Sequence, residues 1–152
     1  MEEAQGSAFD EDNFMNTEQQ GANATEYVPL PEKEVVGLIK DIKFRQAKTS
    51  YILDVFWSID DAEVAEVTGI ASPQVRQSIF LDFTEGGSLD MGPGRNVQLG
   101  LLRTALNQND PETAWAPRML KGQVAKIMIK NRPDKDDPKK IYSDVKAVSP
   151  LN

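Results

Sequence analysis

Apolar and polar residues alternate in three stretches of this chain, a fourth stretch carries a helical stripe, and two more strand-like stretches follow it. From Val35 to Phe44 the apolar positions Val36, Leu38, Ile42 and Phe44 share one face, a period-two pattern that predicts a half-buried strand. Gly37 inside it predicts a bulge or a bend. After a basic turn over Arg45 to Ser50, Tyr51 to Ile59 alternates cleanly: Tyr51, Leu53, Val55, Trp57 and Ile59 oppose Ile52, Asp54, Phe56 and Ser58. Val75 to Phe83 repeats the pattern, with Val75, Gln77, Ile79, Leu81 and Phe83 against Arg76, Ser78, Phe80 and Asp82. The connection from Asp60 to Pro73 is polar and has room for a short helical turn. A Gly-rich stretch, Glu85 to Gly94, then leads into a helix. Asn96 suits its N-cap. Val97, Leu101, Leu102, Ala105 and Leu106 give it an apolar stripe, and Asn107, Asn109 and Pro111 stop it. Gln123 to Arg132 and Ile141 to Ser149 predict two further strands, joined by a charged, Pro-punctuated loop over residues 133–140.

The order β-β-β-α-β-β predicts a mainly β domain, a five-stranded OB-fold-like barrel with one helix between strands 3 and 4. Its inward set is Val36, Leu38, Leu53, Val55, Trp57, Ile79, Leu81, Ile127, Ile129 and Val145. Its outward set on strands 2 and 3 is Ile52, Phe56, Arg76 and Phe80. A slip of one residue would exchange the two sets.

Charge divides the chain. Residues 1–26 hold seven acidic side chains and no basic ones, whereas residues 27–152 hold 17 of each sign, so the net charge of −7 belongs to the leading segment. With Phe9, Phe14 and Met15 as its only large apolar residues after Met1, that segment cannot offset its ordering entropy and is expected to be an acidic flexible tail over 1–26. Its acidic-aromatic stretch, Phe9 to Phe14, is alternatively a peptide that docks on the protein's own basic groove or on a partner. The barrel is expected over 27–152.

The 152 residues include no Cys and no His. Thiol nucleophiles, disulfides, Cys zinc sites and Ser-His or Cys-His catalysis are excluded. No run approaches about 20 apolar residues, so no membrane span is expected, and the acidic N-terminus does not read as a secretory signal. A cytoplasmic, non-enzymatic protein without cofactor or metal is the expectation. Asp134, Asp136 and Asp137 form only a fragment of a cation-binding loop, since Pro138, Lys139 and Lys140 stand where the remaining ligands would be. The Gly-rich stretch lacks the Lys-Ser or Lys-Thr of a phosphate-binding loop. Trp115 reads as a lid on the core rather than a stacking platform.

Aromatic and basic side chains on an exposed sheet face suit single-stranded nucleic acid. Every base has a π-face, and stacking tolerates any sequence. Phe56, Phe80 and Tyr142 are the candidate stacking residues. Arg45, Lys48, Arg76, Lys126, Lys130 and Arg132 are the candidate phosphate contacts. The competing readings are an ordinary solvated face for the cations, and rings lying under a loop, the tail or a second subunit.

The stretches Ile79-Phe80-Leu81-Asp82-Phe83, Gly94 to Arg103, Trp115-Ala116-Pro117, Leu120-Lys121-Gly122, Val124-Ala125-Lys126 and Val145 to Val148 resemble a family of bacteriophage single-stranded DNA-binding proteins. The resemblance spans roughly residues 33–149. It implies an OB-fold and work on single strands in phage DNA replication and recombination. It also implies a host-cytoplasm location, with phage or host replication proteins and further copies of the chain as partners. It carries over no catalytic residue and no individual DNA contact. Many such proteins place an acidic tail at the C-terminus, whereas here the acidic segment leads the chain. The alternative is a phage structural or protein-interaction barrel that uses its exposed aromatics as a subunit contact.

Overall fold

The computed structural model describes residues 9–26 and 28–152. The tail expectation therefore falls, over residues 1–8, outside the described residues. Within the remainder lies a short helix, α1 (Glu11–Asn16), whose first turn is capped by the Asp10 carboxylate accepting the Asn13 N–H and which buries no residue.

The strands are β1 (Glu34–Ala47), β2 (Ser50–Asp60), β3 (Gln74–Leu81), β4 (Val124–Pro133) and β5 (Ile141–Ser149). They form one antiparallel sheet in the order β3-β2-β1-β4-β5. Helix α2 (Ala62–Thr68) joins β2 to β3 and α3 (Val97–Ala105) follows β3. The sheet curls so that its edge strands β3 and β5 approach each other, with α3 packed against both, but no ladder joins them. Among the described residues no helix is long and apolar enough to cross a membrane.

The core fills the concave side of the sheet. Trp57 is fully buried, surrounded in register by Ile39 on β1 and Val75 on β3. Its indole N–H donates to Gln77 Oε1 at 2.9 Å, which satisfies the one polar atom such a ring brings inside. Leu53, Val55, Ile79, Ile127 and Ile129 are buried as the alternation predicts, with Leu81 and Val145 packed at the margin. Leu99 and Leu102 of α3, Val64 of α2 and Leu120 of a 3-10 turn (Pro117–Leu120) close the core from the other side. Trp115 also packs against it.

The expected face of β1 is wrong over its first half. Val35 and Ile39 are buried, while Leu38 is 41% exposed. Gly37, rather than an apolar side chain, faces Trp57. A Cβ there would sit 2.8 Å from Trp57 Cε3 and 3.0 Å from Ile127 Cδ1, so the large indole dictates the register. The ladder shifts between Ile39 and Asp41, a bulge that lies beyond Gly37 and returns Ile42 to the core side. Ile52, expected to be exposed, faces outward in register but is buried beside Arg45 and Phe80 on the flanking strands.

Two expectations for α3 also fail. Val97 and Leu101 are exposed, and Leu99 and Leu102 make the buried face. Asn96 does not cap the helix through its side chain. It sits in the left-handed region (φ 52) and turns its amide back to the end of β3. Its Oδ1 accepts the Asp82 N–H at 2.7 Å, and its Nδ2 donates to the carbonyls of Asp82 and Asp90. The residue ties β3 to the loop instead of satisfying the helix.

Candidate functional site

Outward-facing residues of β1, β2 and β3 form cross-strand rows, and one row sets Phe56 between Asp41 and Arg76. Phe56 is half-buried, with the Lys43 ammonium 5.8 Å from its ring centroid. Around it lies a shallow depression of about 380 Å³ lined by Lys40, Asp41, Lys43, Gln74 and Lys121. Its single carboxylate, Asp41, accepts the Ile42 N–H at 2.9 Å and stands 3.9 Å from Lys121 Nζ. Lys40, Lys43 and Lys121 are all absent from the candidate contacts named from the sequence. Lys40 reaches the site because of the bulge. Lys121 reaches it because the Gly122 N–H donates to the Ile39 carbonyl and the Ile39 N–H to the Gln123 carbonyl, binding the approach to β4 against β1.

Beside that row, Asp54 is buried in the outer face at 3% exposure. Arg45 Nε donates to its Oδ2 at 2.6 Å and the Ser78 hydroxyl donates to its Oδ1 at 2.7 Å. Burial pushes the Asp54 carboxyl up, but these hydrogen bonds and the Arg45 charge outweigh it and hold the group below the usual carboxylate range. Arg45, expected to contact phosphate, is thus already paired, although its side chain remains 42% exposed.

Arg76 continues the surface into a cleft of about 530 Å³ between the edges β3 and β5, where Arg132, Tyr142, Lys146 and the Leu101 side of α3 also line the wall. Arg132 Nε donates to Asp144 Oδ2 at 2.6 Å. Its guanidinium carbon lies 4.9 Å from the Tyr142 ring centroid, and Lys140 Nζ lies 5.3 Å from it. The Tyr142 hydroxyl donates to Asp134 Oδ2 at 2.9 Å. Tyr142 is therefore a ring dressed by two cations rather than a bare stacking face. Asp134 Oδ1 accepts the backbone N–H groups of Asp136 and Asp137, so this carboxylate organises the β4–β5 loop. Those backbone bonds, Asp136 first, together with the Tyr142 hydroxyl hold it below its ordinary value.

A third depression, about 410 Å³, shares Gln74 with the first and Arg76, Tyr142 and Ser143 with the cleft, so the three adjoin. Glu26, the last residue of the leading segment, lines it together with Val28 and Leu30 just after that segment. Leu30 is fixed there: its N–H donates to Ser143 Oγ and its carbonyl accepts from Asn131 Nδ2.

The structure thus brings Phe56, Arg76, Arg132 and Tyr142 onto one band. Phe80, 59% exposed, stands apart beside Ile52. Lys48 occupies the tip of the β1–β2 turn with φ 52. Lys126 and Lys130 lie on β4, opposite Ser149 and Asp144, and line none of the three depressions. A feature the alternation did not disclose is a cluster of exposed rings. Phe44 and Tyr51 stack at 5.9 Å with 21° between planes, and Phe83 meets Tyr51 edge-on at 5.2 Å. They share a face with Leu53 and Leu81 but lie past the end of the core.

No protein-family model matches this chain, and no curated protein matches it.

Proposed function

We propose that this chain is a non-enzymatic single-stranded DNA-binding protein of low sequence specificity, built on an OB-type barrel and serving phage DNA replication and recombination. The observation that carries the reading is that Phe56, with Lys40, Lys43 and Lys121 around it, pairs across the ladder with Arg76, which lines one cleft with Arg132. A half-buried ring among lysine ammonium groups suits base stacking combined with phosphate neutralisation, and neither requires a particular base. The strand order, with α3 between β3 and β4 and the two edges drawn together, supports the barrel topology.

The test is fluorescence anisotropy of labelled oligo-dT with unlabelled duplex as competitor, repeated across salt concentrations. The reading expects saturable binding that duplex displaces poorly, with log affinity falling linearly with log salt. Absence of binding at low salt would overturn it. A second reading, a protein-interaction barrel, draws on the exposed rings Phe44, Tyr51 and Phe83. It expects a fixed oligomer by light scattering whose mass oligo-dT leaves unchanged.

A further inference from the structure

The exposed rings at the β1–β2 hairpin end call for an occupant. Phe44 is 58% exposed, Tyr51 37% and Phe83 36%, although each lies within ring contact of another. Isolated exposed apolar residues need no explanation, but three rings gathered at one rim form a patch. Its electrostatic setting selects among occupants. From Ile42 to Leu53 the hairpin contains Lys43, Arg45 and Lys48 and no acidic residue. With Arg45 held by Asp54, the hairpin presents Lys43 and Lys48 beside these rings as its cations without an ion pair among the described residues, and flat apolar faces next to lysines suit a polyanion that carries rings of its own.

We infer that Phe44, Tyr51 and Phe83 form a second stacking site for unpaired nucleobases, entered after the strand has crossed the Phe56 band and reached the hairpin rim. This rests on the strand-binding reading above and adds a subsite to it. The register supports the path. The outer-face row after Phe56 is Lys43–Asp54–Ser78 and the next is Arg45–Ile52–Phe80; with Asp54 and Arg45 paired to each other, Lys43 and the exposed Phe80 ring lead from the band to the rim. At the rim the strand passes from the outer face to the three rings, with Lys48 at the turn to meet its backbone.

The test uses the full chain and oligo-dT of two lengths, about 6 and about 16 nucleotides, spanning the range of sites known for one such barrel. The wild type is expected to gain affinity with length. The Phe44→Ala and Tyr51→Leu variants should lose about fivefold or more for the long oligomer and bind the short one as the wild type does. Both replace exposed residues, and the emission of buried Trp57 reports whether the core is intact. Photocrosslinking of bromodeoxyuridine-substituted 16-mer should add label to the peptide containing Tyr51. Equal affinity of variant and wild type for the long oligomer overturns the inference and leaves the strand-binding reading standing. Loss of self-association in the variants with DNA affinity unchanged overturns it in favour of a subunit contact. A wild type that binds neither length overturns the broader reading and this one with it.

Discussion

Arg45 reaches across the β1–β2 ladder to place its Nε 2.6 Å from Oδ2 of Asp54, a carboxylate that is 3% exposed. The pair lies in the middle of the outer face, one row from Phe56. It converts a cation that sequence pattern assigns to a ligand into part of the sheet's own structure.

Removing Arg45 leaves Asp54 buried with the Ser78 hydroxyl as its remaining side-chain donor. Arg45→Met is expected to lower stability by about 1–3 kcal/mol in urea denaturation, since Asp54 would keep its desolvation cost and lose its strongest donor. A variant as stable as the wild type would show that Ser78 alone satisfies the carboxylate.

The same pair makes stability depend on pH. The Asp54 carboxyl is held below its ordinary value in the fold. Its contribution is therefore complete above the unfolded value and is lost as pH falls through the lower folded one, that is, below about pH 4. Other depressed carboxylates, Asp61 and Asp134 among them, act in the same direction. The Asp54→Asn variant isolates this group: its urea midpoint should fall less steeply between about pH 4 and pH 2 than that of the wild type.

Ring and cations at the candidate site should separate by salt. Phe56→Ala is expected to weaken oligo-dT binding by about 1–3 kcal/mol with the salt slope unchanged. Lys43→Gln should instead reduce the magnitude of the slope by about 0.7. Titrations of both variants across salt would sink the site assignment if the two changed the slope alike.

Gly37→Ala should be costly out of proportion to a methyl group. The added carbon would meet Trp57 at 2.8 Å and Ile127 at 3.0 Å, so one of two fully buried side chains must move. About 1–3 kcal/mol of destabilisation is expected in urea, with a red shift of tryptophan emission as the reporter.

Deleting residues 1–26 should tighten oligo-dT binding at low salt if a polyanionic segment competes for the groove proposed to receive phosphates. Glu26 already lines the depression that holds Arg76 and Tyr142. Equal or weaker affinity after deletion would remove the competition.

Much of the sheet was legible in the sequence because β2, β3 and β4 alternate without interruption, and alternation is a direct record of which side meets a core. β1 misled for a specific reason. Its apolar side chains at Val36 and Leu38 outvote Gly37 in any pattern, yet it is the missing side chain of Gly37 that leaves room for Trp57. What a side chain must make room for is long-range information. The candidate site was legible in kind and only partly in membership. Phe56 and Arg76 follow from period two, and their direct pairing follows from the ladder. Lys121 comes from a loop remote in sequence, and its arrival beside Phe56 depends on backbone bonds to Ile39. The pairing of Arg45 and Arg132 with carboxylates was invisible because pattern gives faces, not partners.

Leu30 is hydrogen-bonded to Ser143 and Asn131 at the edge of the band. The acidic segment is thereby tethered next to the groove, so any rivalry between segment and ligand is a unimolecular event. Its strength is set by an effective concentration in the millimolar range, as for short flexible linkers. Dilution would leave that rivalry unchanged, whereas the detached segment supplied as a free peptide would have to reach comparable concentrations to reproduce it.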